Sequence, residues 1–306
     1  MKRFCVSTVL IVFIFVSAAS IADTCSGNGV EVQVLGSGGP ELQDKRASSS
    51  YLIWIDGIAT VLVDSGGGSA LRFGQSGAQM QDLDLVLFTH FHADHSADFP
   101  ALVKSSYFED RVRPLPVYGP TGNEHYPSTS EFIHALFDKK TGAFRYLYDF
   151  ITPGKASYTI QPNDVDATNT DVRTVFSQNG LDASAVSVKH GPVPALAWRV
   201  DTGGKRIVFS GDTNGSGDTL QRLAKGADIL IAHNAIPEDA TGVARNLHMP
   251  PSVIGEIAAA AQVKQLILSH RMLRTLGKED ETLHYIKKNY SGPVSFADDL
   301  DCYRLK

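Results

Sequence analysis

The segment DLVLFTHFHADHSAD, residues 84–98, decides the fold of this chain. Its apolar first part predicts a buried strand, and His90, His92, Asp94 and His95 follow within six residues. Because side chains alternate along an extended strand end, His90 and His92 point the same way, and a turn brings Asp94 and His95 to the same space. Imidazoles with a carboxylate suit zinc or iron, and four such groups within six residues are too many for one closed structural site. The segment therefore predicts two metal ions.

Around this segment, short apolar runs bounded by turn residues predict strands. They lie at residues 30–35, 51–55, 60–63, 85–88, 115–118, 185–188, 196–200, 206–209, 229–232, 265–268 and 294–297. Helical patterns lie at residues 95–108, 130–150, 218–224, 251–262 and 279–289. Strands come first and later alternate with helices, an order that two sheets with helices on their outer faces would satisfy. Without an internal linker or repeat, residues 23–306 are predicted to form a single domain.

Composition sets limits on the class of protein. The 306 residues are 43% hydrophobic and 20% charged, which excludes a disordered or fibrous chain and allows a sizeable core. The formal net charge of −5 argues against broad electrostatic capture of nucleic acid.

The first 22 residues have the pattern of a secretory signal peptide. Lys2 and Arg3 precede an apolar run at residues 4–16, and small residues follow up to Ala22. We expect cleavage before Asp23, a periplasmic or secreted mature chain, and no membrane association after removal. An uncleaved anchor helix is the alternative, although a membrane span needs about 20 apolar residues.

Removal of this segment leaves two cysteines, Cys25 and Cys302, near the two ends of the mature chain. Domain termini often lie close together, and an exported protein meets an oxidising compartment. We therefore expect a disulfide that clamps the first and last strands, with two free thiols as the alternative.

The HxHxDH motif at residues 90–95 resembles the hallmark of the metallo-β-lactamase superfamily. Further similar features follow in the family's order: VLVDSGGG at 61–68, His190 after AVSVK, Asp212 in FSGDT and His270 in LILSH. The resemblance implies an α+β fold, a four-layer αββα sandwich of two mixed sheets flanked by helices, which agrees with the element order above.

The resemblance also implies a ligand set. The first metal would be bound by His90, His92 and His190, the second by Asp94, His95 and His270, and Asp212 would bridge the two. Such a pair of divalent ions makes a bridging hydroxide available near neutral pH, so the expected reaction is hydrolysis. Zinc is favoured, but iron or manganese would accept the same ligands. Asp64 and His233 are expected to lie next to the metal-ligating side chains, and Asp64 is expected to orient one of the ligating histidines.

Within the superfamily, the chain looks most like the ribonuclease Z and arylsulfatase-like branch. LGSGGP at 35–40, GPVPALAWRV at 191–200 and His248 in LHMPP carry this likeness. In that branch the histidine at the His248 position faces the leaving group, so we expect it to stabilise an anionic transition state and help protonate the departing oxygen. A helix-cap or surface histidine is the alternative.

Two departures separate the chain from the tRNA-processing members of the branch. Asn234 stands where they carry a glutamate that orients the histidine; an amide can hold the ring by a hydrogen bond but cannot raise its basicity. Only 21 residues separate His190 from Asp212, which leaves no room for a long tRNA-gripping arm.

These observations predict an exported dinuclear hydrolase of small esters, with aryl sulfates or phosphodiesters favoured and Asp94 and His248 in catalytic roles. The alternatives are a lactone or β-lactam hydrolase, a ribonuclease Z-like endonuclease, and a non-catalytic metal-binding protein. A small-molecule ester is the expected partner and nucleic acid is not; formation of a homodimer stays open.

Overall fold

A computed structural model describes Cys25 and residues 27–305 of the chain. The predicted signal peptide, residues 1–22, lies outside the described residues. No helix within the described part is long and apolar enough to cross a membrane.

Two mixed seven-stranded sheets form the framework. In spatial order, the first sheet consists of β14 (Cys302–Arg304), β1 (Val30–Gly36), β2 (Ser50–Ile55), β3 (Ile58–Val63), β4 (Leu85–Leu87), β5 (Leu115–Pro120) and β6 (Ile160–Val165). The second consists of β13 (Val294–Phe296), β12 (Gln265–Ser269), β11 (Ile229–His233), β10 (Lys205–Phe209), β9 (Val193–Thr202), β8 (Leu181–His190) and β7 (Arg173–Gln178). Strands β3 to β6 and strands β10 to β13 are parallel within their sheets, and the remaining pairs are antiparallel.

The central strands are buried on both faces, by the opposite sheet on one side and by helices on the other. The fold therefore has four layers. In β11, Ile229 and Ile231 enter the core between the sheets, whereas Leu230 and Ala232 face the helices outside. A strand covered on both faces has a continuous apolar sequence, as ILIA shows here. The expected αββα sandwich with two mixed sheets is confirmed.

Helices cover the outer faces of both sheets. The described helices are α1 (Ser69–Ser76), α2 (Ala93–Ser96), α3 (Phe99–Ser105), α4 (Thr129–Phe137), α5 (Thr219–Leu223), α6 (Gly242–Leu247), α7 (Pro251–Ala260) and α8 (Glu279–Ile286). Local sequence explains two of their starts. Ser128 and Glu131 form a capping box at the start of α4, and Pro251 occupies the first turn of α7, where a missing N–H costs nothing.

Two predicted helices are shorter than expected. The pattern at 95–108 divides into α2, α3 and a 3₁₀ turn at Ser106–Phe108, and Pro100 lies in the first turn of α3. The pattern at 130–150 ends as an α-helix at Phe137 and resumes as a 3₁₀ helix at Arg145–Ile151. Gly142 lies in the intervening turn, where a Cβ would come within 2.5 Å of the Asp138 backbone nitrogen.

A disulfide joins Cys25 to Cys302, whose Cα atoms are 5.6 Å apart. It ties the start of the described chain to β14, which pairs antiparallel with β1 at the edge of the first sheet. The expected clamp between the two ends of the domain is therefore present.

Candidate metal centre

The candidate ligands lie beyond the carboxyl ends of strands from both sheets, at one edge of the sandwich. The segment with His90, His92, Asp94 and His95 follows β4, His190 ends β8, Asp212 follows β10, and His270 follows β12. Residues more than 170 positions apart in the chain thereby reach hydrogen-bond distance, as in the contact between Asp94 and His270.

A first group of donor atoms comes from His90, His92, His190 and Asp212, all within 4.8 Å of one another. His190 Nε2 lies 3.4 Å from His92 Nδ1 and 3.6 Å from Asp212 Oδ2. His90 Nε2 is 3.9 Å from the same carboxylate oxygen. One cation could therefore be surrounded by three imidazoles and one carboxylate.

A second group lies beside the first and shares Asp212. His95 Nε2 is 3.6 Å from Asp212 Oδ2 and 3.7 Å from Asp94 Oδ2. His270 Nε2 is 3.2 Å from Asp94 Oδ2 and 3.4 Å from Asp212 Oδ1. His233 also approaches this group. All seven residues predicted as ligands thus converge, with Asp212 between the two groups.

Contacts behind the ligands determine which ring nitrogen faces the centre. His95 Nδ1 donates to Asp64 Oδ2 at 2.8 Å, and His190 Nδ1 donates to the Leu247 carbonyl at 2.9 Å. Asp64 is held in turn by the backbone N–H and the hydroxyl of Thr89, at 2.7 and 2.8 Å. Such partners fix the tautomer and the orientation of a ligating imidazole.

The residues fit a pair of divalent cations. His90 Nε2 and His95 Nε2 are buried atoms with no hydrogen-bond partner among the described residues, although both point toward Asp212. Burying a polar atom without a partner costs free energy, so these nitrogens fit the role of donors to a cation. Nitrogen and oxygen donors without thiolates are typical of zinc, iron or manganese centres.

The charge states of the donors agree with cation binding. Burial and the neighbouring His95 hold the pKa of His90 well below its usual range, which leaves a neutral imidazole with a free lone pair. Burial acts to raise the pKa of Asp94, but His95 and His270 outweigh it, so the pKa is lowered and the carboxylate is ionised. Burial also acts to raise the pKa of Asp212, but the neighbouring histidines, His270 first, outweigh it, so this pKa too is lowered.

His248 lies at the rim of this centre, between α6 and α7. Its Nδ1 atom is 3.8 Å from Asp212 Oδ1 and has no hydrogen-bond partner in the described part of the chain. Burial lowers the pKa of His248 to about 4. The ring is therefore neutral near pH 7.

The expected hydrogen bond from Asn234 to His248 is absent. Both polar atoms of the buried Asn234 side chain lack partners among the described residues. The backbone holds this residue instead, because its N–H donates to the Ser269 carbonyl and its carbonyl accepts from the Thr275 hydroxyl.

His233, predicted as a supporting residue, donates from Nδ1 to Asp212 Oδ1 at 2.7 Å. Its Nε2 atom lies 3.0 Å from the Tyr51 hydroxyl, a partner that sequence reasoning missed. Tyr51 lies within a strand of the other sheet, and no local motif marks it.

A small open cavity of about 190 Å³ leads to the ligands. Five candidate ligands and His248 line part of it, and the apolar side chains of Pro40, Leu247 and Met272 line the rest. The cavity wall beside the candidate ligands is therefore largely apolar.

Comparison with known proteins places the chain in a family. Residues 59–271 match the model of the beta-lactamase superfamily domain, and the chain belongs to that family. It is a metal-dependent hydrolase, and its homologues include enzymes named ribonuclease Z. The ribonuclease Z of Mycobacterium avium (strain 104) is 30% identical over 285 residues, which cover 89% of this chain and 96% of that protein.

Solved structures share the fold. The metallo-beta-lactamase fold protein YhfI from Bacillus subtilis matches with a TM-score of 0.69 and 22% identity, covering 90% of this chain and 99% of that one. The short form of human tRNase Z matches with a TM-score of 0.68 and 18% identity, and the match covers 90% of this chain and 99% of that chain.

Proposed function

We propose that this chain is an exported, dinuclear metal-dependent hydrolase of small ester substrates, with phosphodiesters or aryl sulfates as the favoured classes. The observation that carries the proposal is the convergence of seven donor side chains in two groups that share Asp212, five of which line a small cavity. The disulfide between Cys25 and Cys302 supports export, because such bonds persist in oxidising compartments.

In this proposal His90, His92 and His190 would hold one divalent cation, Asp94, His95 and His270 would hold the other, and Asp212, which lies between the two groups, would serve both. When bound, such a pair supplies hydroxide near neutral pH and offsets negative charge on the attacked group. Zinc is the favoured metal, and iron or manganese suits the same donors.

The chain's own residues perform two further tasks. Asp64 and the Leu247 carbonyl keep the rings of His95 and His190 turned toward the centre. His248, whose Nδ1 has no partner among the described residues, lies at the rim, where its ring would hydrogen-bond the negative charge that develops on the substrate. Because that negative charge raises the pKa of the ring, His248 would take up a proton and pass it to the leaving oxygen.

The cavity favours a small substrate. About 190 Å³ lies below the ~300–1,000 Å³ of common ligand pockets, so a single ester group with a compact substituent fits better than a folded RNA. Pro40, Leu247 and Met272 suit an apolar leaving group such as an aryl ring.

A ribonuclease Z-like endonuclease is the second candidate, favoured by the 30% identity to the M. avium protein. Against it, residues 191–211 are occupied by the paired strands β9 and β10 with short connections, so no arm extends there to grip tRNA. The net charge of −5 also opposes binding to a polyanion.

The test combines metal analysis with substrate screening. Purified mature protein should contain about two metal ions per chain, and it should hydrolyse one of a panel of chromogenic aryl sulfates, phosphodiesters, lactones and β-lactams. A precursor tRNA is assayed in parallel. Hydrolysis of the small esters alone supports the proposal, processing of the tRNA supports the second candidate, and full metal with no hydrolysis indicates a binding protein.

Variants separate the roles. Asp94→Ala should abolish hydrolysis, whereas His248→Ala should weaken it by about 10²–10⁴-fold while metal content is retained. His284→Ala, at an exposed position in α8, is the control and should have unchanged activity. The mass of the mature N-terminus tests cleavage before Asp23.

A further inference from the structure

Tyr51 connects the two sheets directly behind the metal centre. It belongs to β2 and is 1% exposed, with its ring packed on Phe209 at a centroid distance of 5.4 Å. Its hydroxyl oxygen lies 3.0 Å from both His233 Nε2 and Ser269 Oγ, at the ends of two strands of the opposite sheet. One phenol therefore spans the sandwich at the edge that carries the candidate ligands.

The hydrogen-bond pattern defines the tautomer of His233. A carboxylate oxygen only accepts, so the 2.7 Å contact with Asp212 Oδ1 requires a hydrogen on His233 Nδ1. In a neutral ring Nε2 is then an acceptor, and the Tyr51 hydroxyl donates to it. The phenol oxygen is also hydrogen-bonded with the Ser269 hydroxyl, 3.0 Å away, so it has two partners on the opposite sheet.

The same pattern decides between two roles for His233. By position alone it could be a ligand, since its donor atoms lie within 4.8 Å of those of His95, Asp212 and His270. However, Nδ1 is turned to Asp212 and Nε2 to Tyr51, so neither nitrogen has a lone pair available for a cation. Its ring also stacks on His270, with centroids 4.7 Å apart, which resists reorientation.

We infer that Tyr51 is a positioning residue that, through His233, holds Asp212 Oδ1 and leaves Oδ2 directed between the two groups of metal ligands. Asp212 Oδ2 lies 3.6 Å from both His95 Nε2 and His190 Nε2, one from each group. An unsupported carboxylate would rotate and lose this shared position. The inference rests on the metal centre of the proposed function and adds a residue outside the ligand set.

The test uses Tyr51→Phe, which removes only the hydroxyl. Tyr158→Phe is the matched control, because Tyr158 is also buried, at 3% exposure, and its hydroxyl is bonded to Ser106 at 2.7 Å away from the metal centre. The mature protein and both variants are stripped of metal. Each is then titrated with Zn²⁺ against a chromophoric chelator, and thermal unfolding of the metal-free proteins is recorded.

Both variants should unfold at similar temperatures, but Tyr51→Phe should bind Zn²⁺ about 10–100-fold more weakly than Tyr158→Phe. If an ester substrate has been found, kcat should fall with KM little changed. The inference is overturned if the Zn²⁺ affinity of Tyr51→Phe is within twofold of that of Tyr158→Phe. It is also overturned if the unsubstituted protein binds no metal. Full Zn²⁺ binding without hydrolysis of any ester overturns the proposed function alone.

Discussion

Gly66 offers a direct test of how the fold positions the proposed metal ligands. It lies in the turn after β3, and its N–H donates to the Ser49 carbonyl. A Cβ at this position would lie 2.1 Å from the backbone oxygen of Asp94 and 2.7 Å from the Ser48 Cβ. The turn at Gly66 therefore packs directly on the backbone that carries Asp94.

The effect of Gly66→Ala follows from these distances. Real Cβ contacts essentially never fall below 3.0 Å, so the Asp94 backbone must retreat by about 0.9 Å. A misplacement of about 1 Å at a catalytic constellation can cost about 10²-fold in rate, which corresponds to about 2.7 kcal/mol. We expect a loss of that size in kcat, together with weaker binding of the metal ion that Asp94 is proposed to hold.

Gly67→Ala is the matched control, since a Cβ there meets nothing within 4 Å. Both variants are compared by metal content after dialysis, by Zn²⁺ affinity, and by hydrolysis of the best ester found in the screen. The reasoning is refuted if Gly66→Ala retains metal affinity and activity within threefold of Gly67→Ala.

Three further predictions concern contacts that stabilise the fold or the candidate metal centre. Asp64→Asn keeps the shape but removes the charge behind His95, so Zn²⁺ affinity should fall about 10–100-fold in a chelator titration. Replacing Cys25 and Cys302 by serine opens a loop of 277 residues and should lower the urea unfolding free energy by about 2–5 kcal/mol; equal midpoints would contradict a stabilising clamp. Trp198→Phe removes a fully buried indole and its 2.9 Å bond to a backbone carbonyl, and chemical unfolding should show a loss of about 1–3 kcal/mol.

Secondary structure was predictable where one pattern dominated. Continuous apolar runs marked β4, β11 and β12, because strands covered on both faces need apolar residues throughout. The strands β6 and β7 were missed, since they are partly exposed and carry polar residues such as those in IQPNDV. Helix α1 was missed for a similar reason, because only Ser69 and Phe73 of its eight residues are buried.

For the metal centre, the sequence by itself determined the spacing of His90, His92, Asp94 and His95, because four ligands within one short turn are linked by local geometry alone. Only the tertiary structure decided that the Tyr51 hydroxyl lies 3.0 Å from His233 and that the Asn234 side chain makes no hydrogen bond to His248. The side chains concerned come from different sheets or from different loops. The distance between them depends on the angle at which the layers of the fold pack. No local periodicity encodes that angle.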